Sequence, residues 1–92
     1  MTIDDRIKTF LKLKGIKSDD LARSTEIGST RWNNARKSTG RFRAEEVEAI
    51  CKLYPAYQMW IATGTTLPEA GQISPELENI ASEYGETGTD TN

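Results

Sequence analysis

Histidine is absent from this 92-residue chain, and cysteine occurs once, at Cys51. Without histidine the usual general acid or base near neutral pH is missing, and one thiol excludes both a His/Cys metal cluster and an intrachain disulfide. Cys51 lies beside Ile50 and Leu53 and reads as a small buried hydrophobe rather than a reactive thiol. No stretch approaches the roughly 18 apolar residues of a membrane span, and Met1-Thr2-Ile3-Asp4-Asp5 is acidic with no apolar signal region. A cytoplasmic protein with no membrane association is expected. No segment alternates with period two, so strands are not expected either. The chain offers no nucleophile with a base, no paired carboxylates and no phosphate loop, and an enzyme, a cofactor or a metal is not expected. Its length suits one small domain, since a single core of this size buries only about two-thirds of the unfolded surface.

What is present is an uneven distribution of charge. The formal net charge is -2. Residues 1–21 are close to balanced, whereas residues 22–43 set Arg23, Arg31, Arg36, Lys37, Arg41 and Arg43 against Glu26 alone. From residue 44 onward Lys52 is the single basic group among many acids, including Glu45, Glu46, Glu48 and Glu69. Electrostatic steering follows the local field rather than the total, so a basic middle with an acidic remainder suits a polyanionic partner.

The helical signals run through most of the chain. Thr2 and Asp5 form a capping-box pair, Ile3, Ile7, Phe10 and Leu11 recur at helical spacing, and Gly15 ends helix 1. Ser18 reads as the cap of helix 2, with Asp19 and Asp20 in its first turn, Leu21 and Ala22 inside, and an end near Thr25. Gly28 and Ser29 open helix 3, which buries Trp32 and Ala35 and breaks at Ser38-Thr39-Gly40. Val47, Ile50, Cys51 and Tyr54 define helix 4, and Pro55 starts helix 5, which carries Tyr57, Trp60 and Ile61 and stops at Gly64. The predicted fold class is all-α. Residues 1–64 form the domain, residues 65–84 a loop and then a short sixth helix from Ser74-Pro75-Glu76, and residues 85–92 a disordered tail. Ile73, Leu77, Ile80, Ala81 and Tyr84 share one face of that sixth helix, which either packs back or meets its twin in a second subunit.

Five helices with a tight turn between the second and third, followed by Pro55 and Trp60-Ile61-Ala62-Thr63-Gly64, resemble the phage lambda repressor-like family, also called the Xre or Cro/repressor type. The resemblance covers about residues 3–64. Leu21, Ala22, Ile27, Trp32 and Ala35 match the apolar and small positions of the family's helix-turn-helix, and the resemblance implies DNA binding. The chain departs from the pattern at three places. Glu26 stands where glycine with positive φ is usual, a conformation costing a non-glycine residue about 1–2 kcal/mol, so a differently shaped turn, with Gly28 in use, is expected. Lys17-Ser18 replaces the usual Ser-Gln, with Ser18 still able to donate to a phosphate. Trp32 replaces a smaller residue and reads as a core anchor.

With Trp32 and Ala35 inward, Ser29, Thr30, Asn33 and Asn34 face a major groove. Asn33 and Asn34 are the leading base readers, since asparagine pairs bidentately with adenine, while Arg31 either reads guanine or clamps a phosphate. Lys17, Ser18, Arg36, Lys37, Arg41 and Arg43 are the expected phosphate contacts, with the acids of helix 4 and the tail facing away. The expected function is a sequence-specific transcriptional regulator, a Cro-like repressor of phage or prophage type, binding a two-fold site in double-stranded DNA as a homodimer. The alternative is a protein-interaction module on the same scaffold, an antitoxin or anti-regulator, meeting a protein partner through its C-terminal segment.

Overall fold

A computed structural model describes residues 1–77. Five α-helices follow one another, α1 Ile3–Leu13, α2 Ser18–Ser24, α3 Ser29–Arg36, α4 Ala44–Leu53 and α5 Gln58–Thr63. Among the described residues there is no strand, only an isolated bridge between Leu67 and Gln72. The expected all-α architecture is what forms.

The helix ends follow from local chemistry. At the start of α1 the Thr2 hydroxyl accepts from the Asp5 amide and the Asp5 carboxylate accepts from the Thr2 amide, each at 3.1 Å. Gly15, at φ +66°, turns the chain out of that helix. The cap of α2 is Lys17 rather than Ser18, and the Asp20 carboxylate accepts from the Lys17 amide at 3.1 Å. Ser18 is instead buried in the first turn. Pro55 opens a 3-10 turn, Pro55–Tyr57, before α5 begins at Gln58. Gly64, at φ +79°, ends α5 as expected.

The core runs through all five helices. Ile7, Phe10 and Leu11 of α1 meet Leu21, Trp32, Ile50, Tyr57, Trp60 and Ile61, with Ala35 also fully buried. Phe10 packs against Tyr54 and Tyr57 at ring centroid distances of 5.2 and 4.8 Å. Polar groups of α1 fasten the periphery. Arg6 donates to the carbonyls of Ile61 and Ala62 at the end of α5, and Lys8 donates to the Gly40 carbonyl at 2.8 Å. Asp4 accepts from the Phe42 amide at 2.7 Å. The loop after α3 is therefore held against α1.

The segment after α5 returns to the domain. Gln72 accepts from the Met59 amide and donates to the Pro55 carbonyl, and the Ile73 amide donates to the Ala56 carbonyl. Ser74 and Pro75 are buried, and the Ser74 hydroxyl accepts from the Leu77 amide at the start of a helical turn over 75–77. The remainder of the predicted sixth helix, with Ile80, Ala81 and Tyr84, and the predicted tail lie outside the described residues.

Gly40 is required by close approach. A Cβ there would run into the carbonyl oxygens of Asn34 and Ala35 at the end of α3. Gly40→Ala should therefore cost about 1–3 kcal/mol. Thermal unfolding followed by circular dichroism should show a midpoint lowered by roughly 4–8 °C for each kcal/mol, and an unchanged midpoint would contradict the packing.

Candidate nucleic-acid interface

α3 has eight residues, and its orientation is set by the two that are wholly buried, Trp32 and Ala35. At about 100° per residue, the side opposite them carries Thr30, Asn33, Asn34 and Lys37, spaced i, i+3, i+4, i+7. All four are exposed. Ser29 is half-buried at the flank of this stripe, so of the five expected readers Thr30, Asn33 and Asn34 project together, Ser29 sits beside them and Arg31 is directed elsewhere.

The turn before α3 is shaped without a left-handed residue. Among the described residues no residue other than glycine has positive φ, and Gly28 sits at an ordinary φ of -72°. The differently shaped turn expected at Glu26 is what forms, but it does not use Gly28 as a left-handed residue. Instead Thr25 leaves α2 in extended conformation, its hydroxyl donating to the Leu21 carbonyl at 2.6 Å and accepting from the Ile27 amide at 3.2 Å. The Trp32 indole N–H donates to the Ile27 carbonyl at 3.1 Å. The larger residue in α3 thus ties down the turn that lacks its glycine.

Cations flank the stripe on both sides. Toward α2, Arg36 donates to the Ile16 carbonyl at 2.8 Å and to the Ser18 hydroxyl at 3.4 Å, beside exposed Lys17. Ser18 itself is 8% exposed and lies beneath Arg36, a poor position for the phosphate contact expected of it. Toward α4, Arg41 and Arg43 are exposed in the loop that α1 anchors. Lys37 lies on the stripe itself.

Arg31 and Glu46 depart from expectation together. Glu46, expected among the acids facing away, is 2% exposed and turned toward α3. Arg31 Nε donates to Glu46 Oε2 at 2.6 Å and Nη2 donates to Oε1 at 2.9 Å, a bidentate pair. Nη2 also donates to the Arg41 carbonyl at 2.7 Å, and Glu46 Oε1 accepts from the Arg43 amide at 2.6 Å. Arg31, half-buried, thus has its Nε and Nη2 donors tied to Glu46 and Arg41, where guanine reading or a phosphate clamp was expected of it. Glu46 was detectable in part, since it occupies the third position of α4, where an acid reaches back to the cap amide. Its partner fifteen residues earlier left no local signal.

A family model for the Cro/C1-type HTH DNA-binding domain matches residues 6–54, more than half of the chain. The chain belongs to the Cro/C1-type helix-turn-helix DNA-binding domains. A solved structure, Pf6r from the filamentous phage Pf6 of Pseudomonas aeruginosa PA01, is 35% identical to it. The likeness covers 92% of this chain and 99% of that one at a TM-score of 0.81. No curated protein matches. These findings support a DNA-binding regulator rather than an enzyme. Among the described residues of this Cro/C1-type domain, no helix is long and apolar enough to cross a membrane.

The Arg31–Glu46 pair gives the domain an acid-sensitive joint. Burial pushes the Glu46 carboxyl up, but the hydrogen bonds from Arg31 and the Arg43 amide outweigh it and hold the group below its ordinary value. A carboxyl whose folded value is depressed stabilises the fold fully above the unfolded value of about 4.3, and this is lost as pH falls through the folded value. Wild type should therefore melt well above Glu46→Gln at neutral pH, with the gap closing below about pH 4. Thermal melts of both proteins from neutral to acid pH check this, and a gap that stays constant would contradict it.

Proposed function

We propose that this domain is a sequence-specific transcriptional regulator of phage or prophage type, Cro-like, which places α3 in the major groove of a two-fold operator as a homodimer. The observation that carries the reading is the complete burial of Trp32 and Ala35, which turns Thr30, Asn33, Asn34 and Lys37 outward as one stripe. Asn33 and Asn34 pair with adenine edges, and Thr30 meets a base edge or a thymine methyl, with Ser29 at the border of the stripe. Lys17 and Arg36 on one side, Arg41 and Arg43 on the other, and Lys37 between them hold the two phosphate strands that border the groove. A dimer is favoured because one module of this size contacts too few base pairs for operator affinity. The likeness to a filamentous phage protein supports the phage-type setting, and a DNA regulator of this kind works in the cytoplasm.

Selection of bound duplexes from a random pool, at about 50 and 200 mM salt, tests the reading. A two-fold consensus is expected, and failure to retain any DNA would overturn it. Asn33→Ala or Asn34→Ala should cost about 1–3 kcal/mol on the selected site and relax preference at one position of each half-site. Lys37→Ala should weaken all duplexes alike and flatten the log-log salt dependence by about 0.9 for each protomer bound. Asparagine variants with undiminished sequence preference would favour the protein-interaction reading instead.

A further inference from the structure

Arg31 stands immediately after Thr30 in the recognition helix, where an arginine would ordinarily dominate binding, because it can fork onto guanine or neutralise a phosphate. The Nε and Nη2 edge of its fork is already filled. Both carboxylate oxygens of Glu46 accept from it at 2.6 and 2.9 Å, and a third bond at 2.7 Å goes to the Arg41 carbonyl. The Arg31 side chain keeps only 27% of its exposure and that of Glu46 only 3%. Withdrawing Arg31 toward DNA would strand a buried carboxylate whose remaining donor is the Arg43 amide, a penalty that contact with a hydrated phosphate does not return. The pairing also cancels the charge, whereas Arg36, bonded to a carbonyl and a hydroxyl, keeps its own.

We propose that Glu46 is a specificity-determining positioning residue: by clamping Arg31 it keeps a cation beside the reading stripe off the DNA, so that discrimination rests on the uncharged Thr30, Asn33 and Asn34. The inference rests on the reading of α3 as the groove-entering helix. Glu46 touches no base. It acts through Arg31, and its loss should make the domain bind more duplexes rather than fewer. A purely structural role would instead weaken binding to every duplex without changing its salt dependence.

The test measures dissociation constants over a salt series for wild type, Glu46→Gln, Arg31→Met and the double variant, on the selected operator duplex and on an unrelated duplex. Glutamine keeps an acceptor for the Arg43 amide, and circular dichroism establishes that each variant is folded. Arg31→Met should leave the wild-type salt slope unchanged, because Arg31 does not neutralise a phosphate in the native protein. Glu46→Gln should steepen the slope by about 0.9 for each protomer bound and narrow the operator-to-unrelated affinity ratio, and the double variant should restore the wild-type slope. A slope flattened in the double variant, which removes both charges together, or unaltered in folded Glu46→Gln, overturns the proposal while leaving the groove reading intact. Should Glu46→Gln fail to fold, the double variant, which leaves neither charge unpaired, decides by the same flattening or its absence. Wild type that binds neither duplex would sink the groove reading and this inference with it.

Discussion

Trp32 is wholly buried in a helix only eight residues long, and that burial fixes how α3 is rotated. Left to itself, a helix this short is not stable in water, and Ser29, Thr30, Asn33 and Asn34 are indifferent helix formers. Tertiary contact must therefore decide both whether α3 forms and which side it shows. The indole meets the core through its rings and the turn through its N–H, which reaches the Ile27 carbonyl. The side chain that turns the polar stripe outward is thus also the one that shapes the approach to it. A smaller residue at this position could fill core space but could not make that hydrogen bond, and Thr25, whose hydroxyl serves both Leu21 and Ile27, would hold the turn alone.

Around that anchor the charged side chains divide by what they bond to. Arg6, Lys8 and Arg36 donate to backbone carbonyls, which satisfies their geometry without cancelling their charge. Such bonds pin α5, the loop at Gly40 and the start of α2 to their neighbours, and they leave the positive field in place. Arg31 bonds to a carboxylate and loses its charge to it. Arg23 pairs in the same way with Asp20, though both remain exposed, and an exposed pair contributes little to stability. The basic middle of the chain is consequently less basic than its composition, and its usable charge is concentrated at the two borders of the stripe and at Lys37 on it.

Much of this was legible in the sequence, because it depends on residues close together. The Thr2 and Asp5 box, the glycine ends at Gly15 and Gly64, and the inward spacing of Trp32 and Ala35 are local patterns read from neighbouring positions. Local cap and turn signals also placed the two motif helices, and the family resemblance joined them as a helix-turn-helix. What escaped was set by distant partners. Ser18 looks like a helix cap until Arg36 is seen lying over it. Glu46 looks like one acid in an exposed run until Arg31 closes on it from another helix. The turn at Glu26 looks strained only if it is assumed to bend through a left-handed residue, and the Thr25 and Trp32 bonds allow another path.

The same distinction explains how a chain with net charge -2 can hold a polyanion. Salt screens charges over distances beyond about 10 Å, so only the acids near α3 would bear strongly on a duplex placed there. Glu46 is close enough to matter, yet it is neutralised by Arg31 and buried from the groove. Glu45 and Glu48 are exposed on α4, and Lys52 occupies Glu48. The acids therefore oppose DNA mainly where DNA should not lie. Placed this way, they limit the orientations in which the basic borders of α3 can approach a phosphate backbone, and orientation is what the proposed readers Thr30, Asn33 and Asn34 would most need before hydrogen bonds to base edges could discriminate.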